Sequence, residues 1–273
     1  MADKAKETVM EDIQRLKTLI VDAIKSGAYL YPIKGILYFL SHRSLQRPLT
    51  SQIAPTITLS IGVTTAMFFF TYVPQAAILS FTSGPFAPIS AALLVLSESS
   101  TIINALSRSF LITESLTDTF DGTLVSRGCT SLVSDGRQIK PLSVGSDPIS
   151  KLGKLIKKPL GGFGGVSPTK AIIRSIVYLP LNFIPVVGTV VYFVMQGRRI
   201  GPALHERYFQ LRGWSKRQGE EWVEKNRGAY TSFGVAAYLF DMIPFASLAF
   251  AYTNTVGAAL WAANLEEGMK KGE

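Results

Sequence analysis

The stretch PLTSQIAPTITLSIGVTTAMFFFTYVPQAAILSFTSGPFAPISAALLVLS, residues 48–97, runs fifty residues without an Asp, Glu, Lys or Arg. A bilayer-spanning helix needs about 20 mostly apolar residues, so this run has room for two spans and a turn between them. Ser83-Gly84-Pro85, with Pro88 just after, supplies the turn near the middle. A soluble core element would show charge on its wet face. This run shows none, and the chain therefore reads as an integral membrane protein.

Two further runs point the same way. Ser175–Gly197 is uncharged over 23 residues, and Gly228–Leu265 holds one charge, Asp241, in 38. Each is cut by Ile-Pro, at Ile184-Pro185 and Ile243-Pro244. Proline removes a backbone donor and clashes with the preceding turn, so each run is a kinked helix or a pair of half-helices. Ten helical residues rise only about 15 Å, half the hydrocarbon thickness. Folded at Pro185–Gly188, the 175–197 run would dip into the bilayer and return. A straight span is the other geometry its length permits.

The net charge is +9, and its basic residues flank the apolar runs. That placement suits an anionic lipid surface. Nucleic acid is set aside, because no recognised binding motif is present. The single cysteine, Cys129, rules out an internal disulfide and fits a reducing compartment. Met1–Glu11 is charged and has no apolar core, so no cleaved signal peptide is expected. Two histidines, His42 and His205, cannot make a zinc site alone. They sit beside Arg43 and Glu206 and read as solvated or interfacial. No constellation for catalysis, metal or cofactor stands out, and a non-enzymatic protein is expected.

Organisation follows from these runs. Residues 1–47 read as amphipathic, interfacial helices: Ile13, Leu16, Ile20 and Ile24 recur at helical spacing, and Tyr29–Leu40 mixes tyrosines with Lys34. Residues 48–112 form the transmembrane hairpin. Residues 113–170 are a polar cytoplasmic insert with turn signals at Asp121-Gly122, Asp135-Gly136 and Asp147-Pro148. Asp118–Gly122 lacks the later acids of a calcium loop and reads as a turn. The glycines at 161, 162, 164 and 165 lack a Gly-Lys-Ser/Thr and read as a linker. Residues 171–265 hold two re-entrant hairpins joined by a basic connector, 198–227, and 266–273 are a cytoplasmic tail. In the connector, Arg198, Arg199, Arg207, Lys216 and Arg217 are expected at anionic headgroups. Ser215–Gln218 has the form of a capping box that starts a helix at Lys216. Gly213 is expected to end the helix before it and Gly228 the helix itself. Tyr208, Phe209, Trp214 and Trp222 are placed for an interface belt.

If every basic segment is cytoplasmic, every apolar run must enter and return. The fold expected is an all-α integral membrane protein with two long spanning helices. Two Pro-broken, partly penetrating helical hairpins and interfacial amphipathic helices complete it, and both termini are cytoplasmic.

The two Ile-Pro runs resemble each other. Tyr178-Leu179 and Asn182 before Pro185 align with Tyr238-Leu239 and Asp241 before Pro244. Gly188 and Ser247 follow at the same offset. Paired, proline-interrupted apolar segments mark midplane sites in transporters. A half-helix starting near either proline aims N–H groups and its positive end into the membrane, where an anion would bind. The candidate anion site is therefore Asn182, Pro185, Gly188, Asp241, Pro244 and Ser247. An ionised Asp at mid-bilayer costs about 3 kcal/mol, so Asp241 should be paired, protonated or wet. Asn182 and Asp241 read either as N-caps of the half-helices that follow or as direct ligands.

Leu181–Thr189, then Gly197, then Tyr208–Gly213 resemble the membrane family of CysZ-type sulfate permeases and etoposide-induced proteins. Phe233-Gly234, Asp241–Pro244 and Thr253–Ala259 fit it too, and Gly228–Gly234 with Val256–Leu265 resemble its fungal branch. That branch implies outer-spore-wall or lipid-droplet proteins, and the family fold implied is two long spanning helices plus two partly penetrating hairpins. The function expected is a multi-pass protein of the endoplasmic reticulum or lipid droplet supporting lipid or spore-wall assembly. The alternative is a sulfate-like anion permease using the two half-helix ends. Partners expected are membrane lipids with anionic headgroups. The candidate protein partners are a second copy of the chain and, through a terminal Lys270-Lys271, coat proteins.

Lys270 and Lys271 stand fourth and third from the carboxyl end, in the manner of a dilysine retrieval signal. Changing both to serine should let the tagged protein leak toward the Golgi or cell surface, as imaged against compartment markers. Identical localisation of the double variant and a free-tailed wild type would remove the signal.

Overall fold

The computed structural model describes residues 21–139, 148–156, 185–243 and 246–272. Among them, a 3-10 turn (Ala28–Leu30) leads into α1 (Tyr31–Ser41) and α2 (Arg43–Ser83). Another 3-10 turn (Gly84–Phe86), α3 (Ala87–Leu106), a π turn (Ser107–Leu111) and α4 (Ile112–Ser126) follow. Next come α5 (Thr130–Ser134) and a two-stranded antiparallel ribbon, β1 (Arg137–Ile139) with β2 (Leu152–Leu155). The chain closes with α6 (Pro185–Leu204), α7 (Glu206–Leu211), α8 (Lys216–Lys225), α9 (Arg227–Asp241) and α10 (Ser247–Gly272). It divides into two compact units. One is Gln46–Leu116; the other joins Met1–Leu45 to Thr117–Glu273.

The first unit is an antiparallel hairpin. Gly84 turns it with φ +52°, a left-handed conformation that glycine adopts without the Cβ penalty. Hydrogen bonds bridge its arms. Gln75 Nε2 donates to Glu98 Oε2 at 2.7 Å, and Ser115 Oγ donates to the Pro48 carbonyl at 2.9 Å. Pro48, Pro55 and Pro74 lie inside α2 without ending it, a pattern tolerated in membrane helices. The apolar side chains point outward: Phe81 is 90% exposed, Phe69 is 78% exposed, and Phe70, Val73, Ile78 and Leu93 are exposed as well. Among the described residues, Arg43–Ile103 is the one helical stretch long and apolar enough to cross a membrane, and none of its most apolar window is buried. A helix in water would turn such a stripe inward.

The second unit is built around α10. Every residue from Ala251 to Ala263 is buried. A helix covered on all sides must be apolar all round, and this accounts for most of the uncharged character of 246–265. The small residues of that segment let neighbours approach closely. Gly257 faces Gly35 of α1, and a Cβ at Gly257 would lie 2.5 Å from the Tyr31 carbonyl oxygen. Gly197 and Gly201 of α6 face α9 in the same way. A Cβ on Gly197 would lie 2.6 Å from the Thr231 carbonyl oxygen, and one on Gly234 would collide with the Gly197 carbonyl. Small residues four apart that bring backbones together are a membrane-helix packing device.

Several expectations change here. The break expected at Ile243-Pro244 is present, since α9 ends at Asp241 and α10 starts at Ser247; Pro244 itself lies outside the described residues. A helix starts at Ile184-Pro185 as expected, and residues 175–184, the other arm of the expected re-entrant hairpin, lie outside the described residues. Pro185 opens α6, which runs unbroken through Gly188 for 20 residues, about 30 Å. Proline suits a first helical position, where its missing N–H costs nothing. Asp118–Gly122 is no turn but the middle of α4, and Gly122 is small because Ile149 packs on it. Ser215 and Gln218 form both halves of the expected capping box, and Gly213 takes φ +69° after α7. Gly228 does not end α8. Asn226 does, and Gly228 lies in α9 against Asp22 and Ala23, where a Cβ would not fit. Within the 113–170 insert, the ribbon adds a small β element to an otherwise helical chain. Asn182, the glycine cluster and residues 1–20, with Ile13, Leu16 and Ile20 of the expected amphipathic helix, lie outside the described residues.

Valine at Gly201 should force α6 off α9 and cost about 1–3 kcal/mol or more, read as a lowered Tm in detergent. Alanine at Gly62, which has open space around it, should leave Tm unchanged or raise it. Equal Tm values for Gly201→Val and wild type would contradict the close packing.

Candidate functional site

The α9–α10 break gathers polar groups from three helices. Asp241 is the last residue of α9. It therefore sits at a C-terminal, negative helix end and is not the N-cap of α10. Asn254, buried on α10, donates through Nδ2 to the Ala237 carbonyl at 3.0 Å and to Asp241 Oδ1 at 3.2 Å. Both partners are acceptors, which fixes the orientation of the amide. Its Oδ1 is then a buried acceptor with no hydrogen-bond partner among the described residues. One turn back, the Tyr238 hydroxyl lies 3.1 Å from that of Tyr192 on α6, and Gln196 Nε2 donates to Tyr192 at 2.9 Å. Leu239, Met242 and Ile243 are exposed beside this group.

A carboxylate and an orphaned amide oxygen are both acceptors. Their chemistry suits a proton or a cation better than an anion. The anion-attracting features, the helix starts at Pro185 and Ser247, belong to α6 and α10, with Gly188 in the first turn of α6. Asn254, which completes the Asp241 group, was not picked out by the proline-centred repeat. Its sequence signals are an amide inside an almost uncharged run and a place in the Thr253–Ala259 motif.

The basic residues expected at headgroups divide. Arg198 and Arg199 are exposed on α6, and Lys216 and Arg217 on α8, where Arg217 pairs with Glu221 at 2.8 Å. Arg207 is different: it is 6% exposed and clasps Asp121 of α4 through two bonds, Nε to Oδ1 at 2.9 Å and a terminal nitrogen to Oδ2 at 2.7 Å. Arg137 of β1 adds ion pairs to Asp118 at 2.6 Å and to Asp121 at 3.4 Å. Two cations thus meet two acids in a neutral cluster joining α4, α7 and the ribbon. Arg207 is a core clamp and not a lipid contact. Removing one partner of such a cluster costs about 3–5 kcal/mol.

The expected interface belt is also a core. Tyr208 and Phe209 are buried, and Trp214 stacks on Phe209 with centroids 5.7 Å apart. His205, expected to be solvated, is fully buried among Tyr230, Phe233 and Trp261. Its Nε2 lies 2.9 Å from the Ala258 carbonyl, which can only accept, so the proton is on Nε2. Nδ1 then accepts from Tyr230 at 3.0 Å, and Tyr230 accepts from Trp222 Nε1 at 3.2 Å. Burial pushes His205 down to about 4, partly opposed by the Ala258 bond. Burial also holds the Tyr208 hydroxyl far above its ordinary range, helped by the Glu266 carboxylate that accepts its proton at 2.8 Å.

A model of the sulfate transporter CysZ/etoposide-induced protein 2.4 family matches residues 31–251. Two proteins of Saccharomyces cerevisiae are similar. The outer spore wall protein RRT8 is 33% identical over 93 residues, 34% of this chain and 27% of that protein. The outer spore wall protein LDS1 is 23% identical over 266 residues, 93% of this chain and 75% of that protein. The match to RRT8 thus spans about a quarter of that relative's length.

The folded value for His205 lies below its ordinary 6.5, so the unfolded chain binds more protons between the two values. Stability should therefore fall as pH drops from 6.5 toward about 4. Thermal unfolding in detergent across this window should show a shallower slope for His205→Gln than for wild type. Parallel slopes would mean that His205 is not buried neutral.

Proposed function

The chain belongs to the sulfate transporter CysZ/etoposide-induced protein 2.4 family, and from that premise we propose that it is a multi-pass membrane protein supporting spore-wall or lipid assembly, without catalysis of its own. The observation that carries the membrane reading is the outward-facing aromatic and aliphatic surface of the α2–α3 hairpin. Apolar area on this scale is stable only against lipid or another protein. The names of the two yeast relatives support the spore-wall assignment. In this reading the hairpin crosses the bilayer with Gly84 on the far side. Arg198, Arg199, Lys216 and Arg217 face anionic headgroups, and both termini are cytoplasmic. The compartment is the endoplasmic reticulum or the lipid droplet.

Anion permeation is the second reading, favoured by the helix starts at Pro185 and Ser247 and by the transporter half of the family description. Asp241 enters it as the acid beside the path. Under this reading Asp241→Asn would alter flux or its pH dependence.

Alkaline carbonate extraction separates integral from peripheral protein. The tagged full chain should stay in the membrane pellet, and release to the supernatant would overturn the membrane reading. Purified protein in liposomes should give no sulfate flux under the assembly reading. Flux that changes with Asp241→Asn would establish the permease instead.

A further inference from the structure

We infer that the cleft between α1, the residue following α4 and α10 is a binding site for a phospholipid with an anionic headgroup. The cleft holds about 360 Å³, within the range of small-molecule sites. Its polar lining includes Tyr31, Lys34, Tyr38, Arg127 and Asn264, with Leu37 and Leu260 as the apolar residues. That lining carries two cations and no carboxylate.

The donors are held in place. Lys34 Nζ stands 4.8 Å over the Tyr31 ring. The Tyr31 hydroxyl accepts from Asn264 Nδ2 at 2.8 Å, which leaves its own hydrogen to give. Tyr38 is fixed by Ser126 at 2.7 Å. Arg127 spends one donor on Glu267 at 3.1 Å, a half-exposed pair of the weak surface kind. The rest of its guanidinium fork matches a phosphate.

The apolar side identifies the ligand as a lipid. Leu37 lines the cleft and also belongs to an exposed stripe on α1. It is 65% exposed, as is Leu40 one turn on, with Leu30 and Ile33 also exposed on the turns before. These positions recur at three- and four-residue spacing along one helix face. The opposite face, through Gly35, is sealed against α10. A phosphate seated between Lys34 and Arg127 would therefore lay its acyl chains along this stripe. A soluble phosphate would make no use of it. The site rests on the membrane reading only for the source of the lipid, because binding is measurable in detergent.

The test uses the full chain in detergent and native mass spectrometry with phosphatidylserine, phosphatidylcholine, glycerophosphoserine and inorganic phosphate. Phosphatidylserine should bind in preference to phosphatidylcholine. Lys34→Gln and Arg127→Gln should each weaken it about fivefold; both residues are exposed, so the fold should persist. Glu267→Gln, which releases Arg127, should leave binding equal or tighter. Leu37→Ser should weaken phosphatidylserine but not glycerophosphoserine. Equal binding of the two lipids, or unchanged preference in the Lys34→Gln/Arg127→Gln double variant, would overturn the site. Full displacement of the lipid by inorganic phosphate would mean a phosphate site and not a lipid one. Carbonate extraction tests the membrane reading separately: a selective protein released by carbonate keeps the site and loses that reading.

Discussion

Backbone contact between helices is the constraint on which the second unit rests. At Gly35 and Gly257, and again at Gly197, Gly201 and Gly234, the facing main chain occupies the space where a Cβ would be. Without side chains in the way, α1 lies directly on α10 and α6 directly on α9. Everything placed by these helices inherits that geometry. The Asp241–Asn254 contact requires α9 and α10 in register, and the basic cleft requires α1 close to Asn264 and Leu260. Dispersion at such short range stabilises the unit in water or lipid alike, because it does not depend on excluding solvent.

Within this frame, the buried polar groups are organised to cancel. Arg207 and Arg137 meet Asp121 and Asp118. The Trp222–Tyr230–His205 chain ends on the Ala258 carbonyl with donors and acceptors matched along it. Such networks contribute little net stability but are costly to break, so they fix which helix faces which. They also draw basic and aromatic residues away from the surface. Arg207 and Tyr208 are examples of residue types that suit a membrane interface and here do structural work inside the protein.

The two units put apolar residues to opposite uses. The hairpin turns Phe69 and Phe81 outward, whereas α10 turns Tyr252 and Trp261 into protein. The hairpin thus leaves an exposed apolar surface, and the second unit offers a supported face with a basic cleft and an aliphatic stripe.

The sequence alone determined the hairpin and its turn. The absence of charge over 48–97 allows no wet face, and Ser83-Gly84-Pro85 allows a reversal. It also determined the capping box at Ser215–Gln218, the helix end at Gly213 and the break at Ile243-Pro244, because caps, glycine turns and prolines act through local backbone chemistry. The family could be read from motifs in 181–265. Only the tertiary structure decided the rest. An uncharged run looks the same whether lipid or protein covers it, so 251–263 could not be told from a membrane segment until its neighbours were in place. Arg207 and His205 sit in a basic segment, and their partners Asp121 and Ala258 lie far away in sequence, so nothing local marks them as buried. The Asp241–Asn254 contact and the Lys34–Arg127 cleft likewise join residues that only packing brings together.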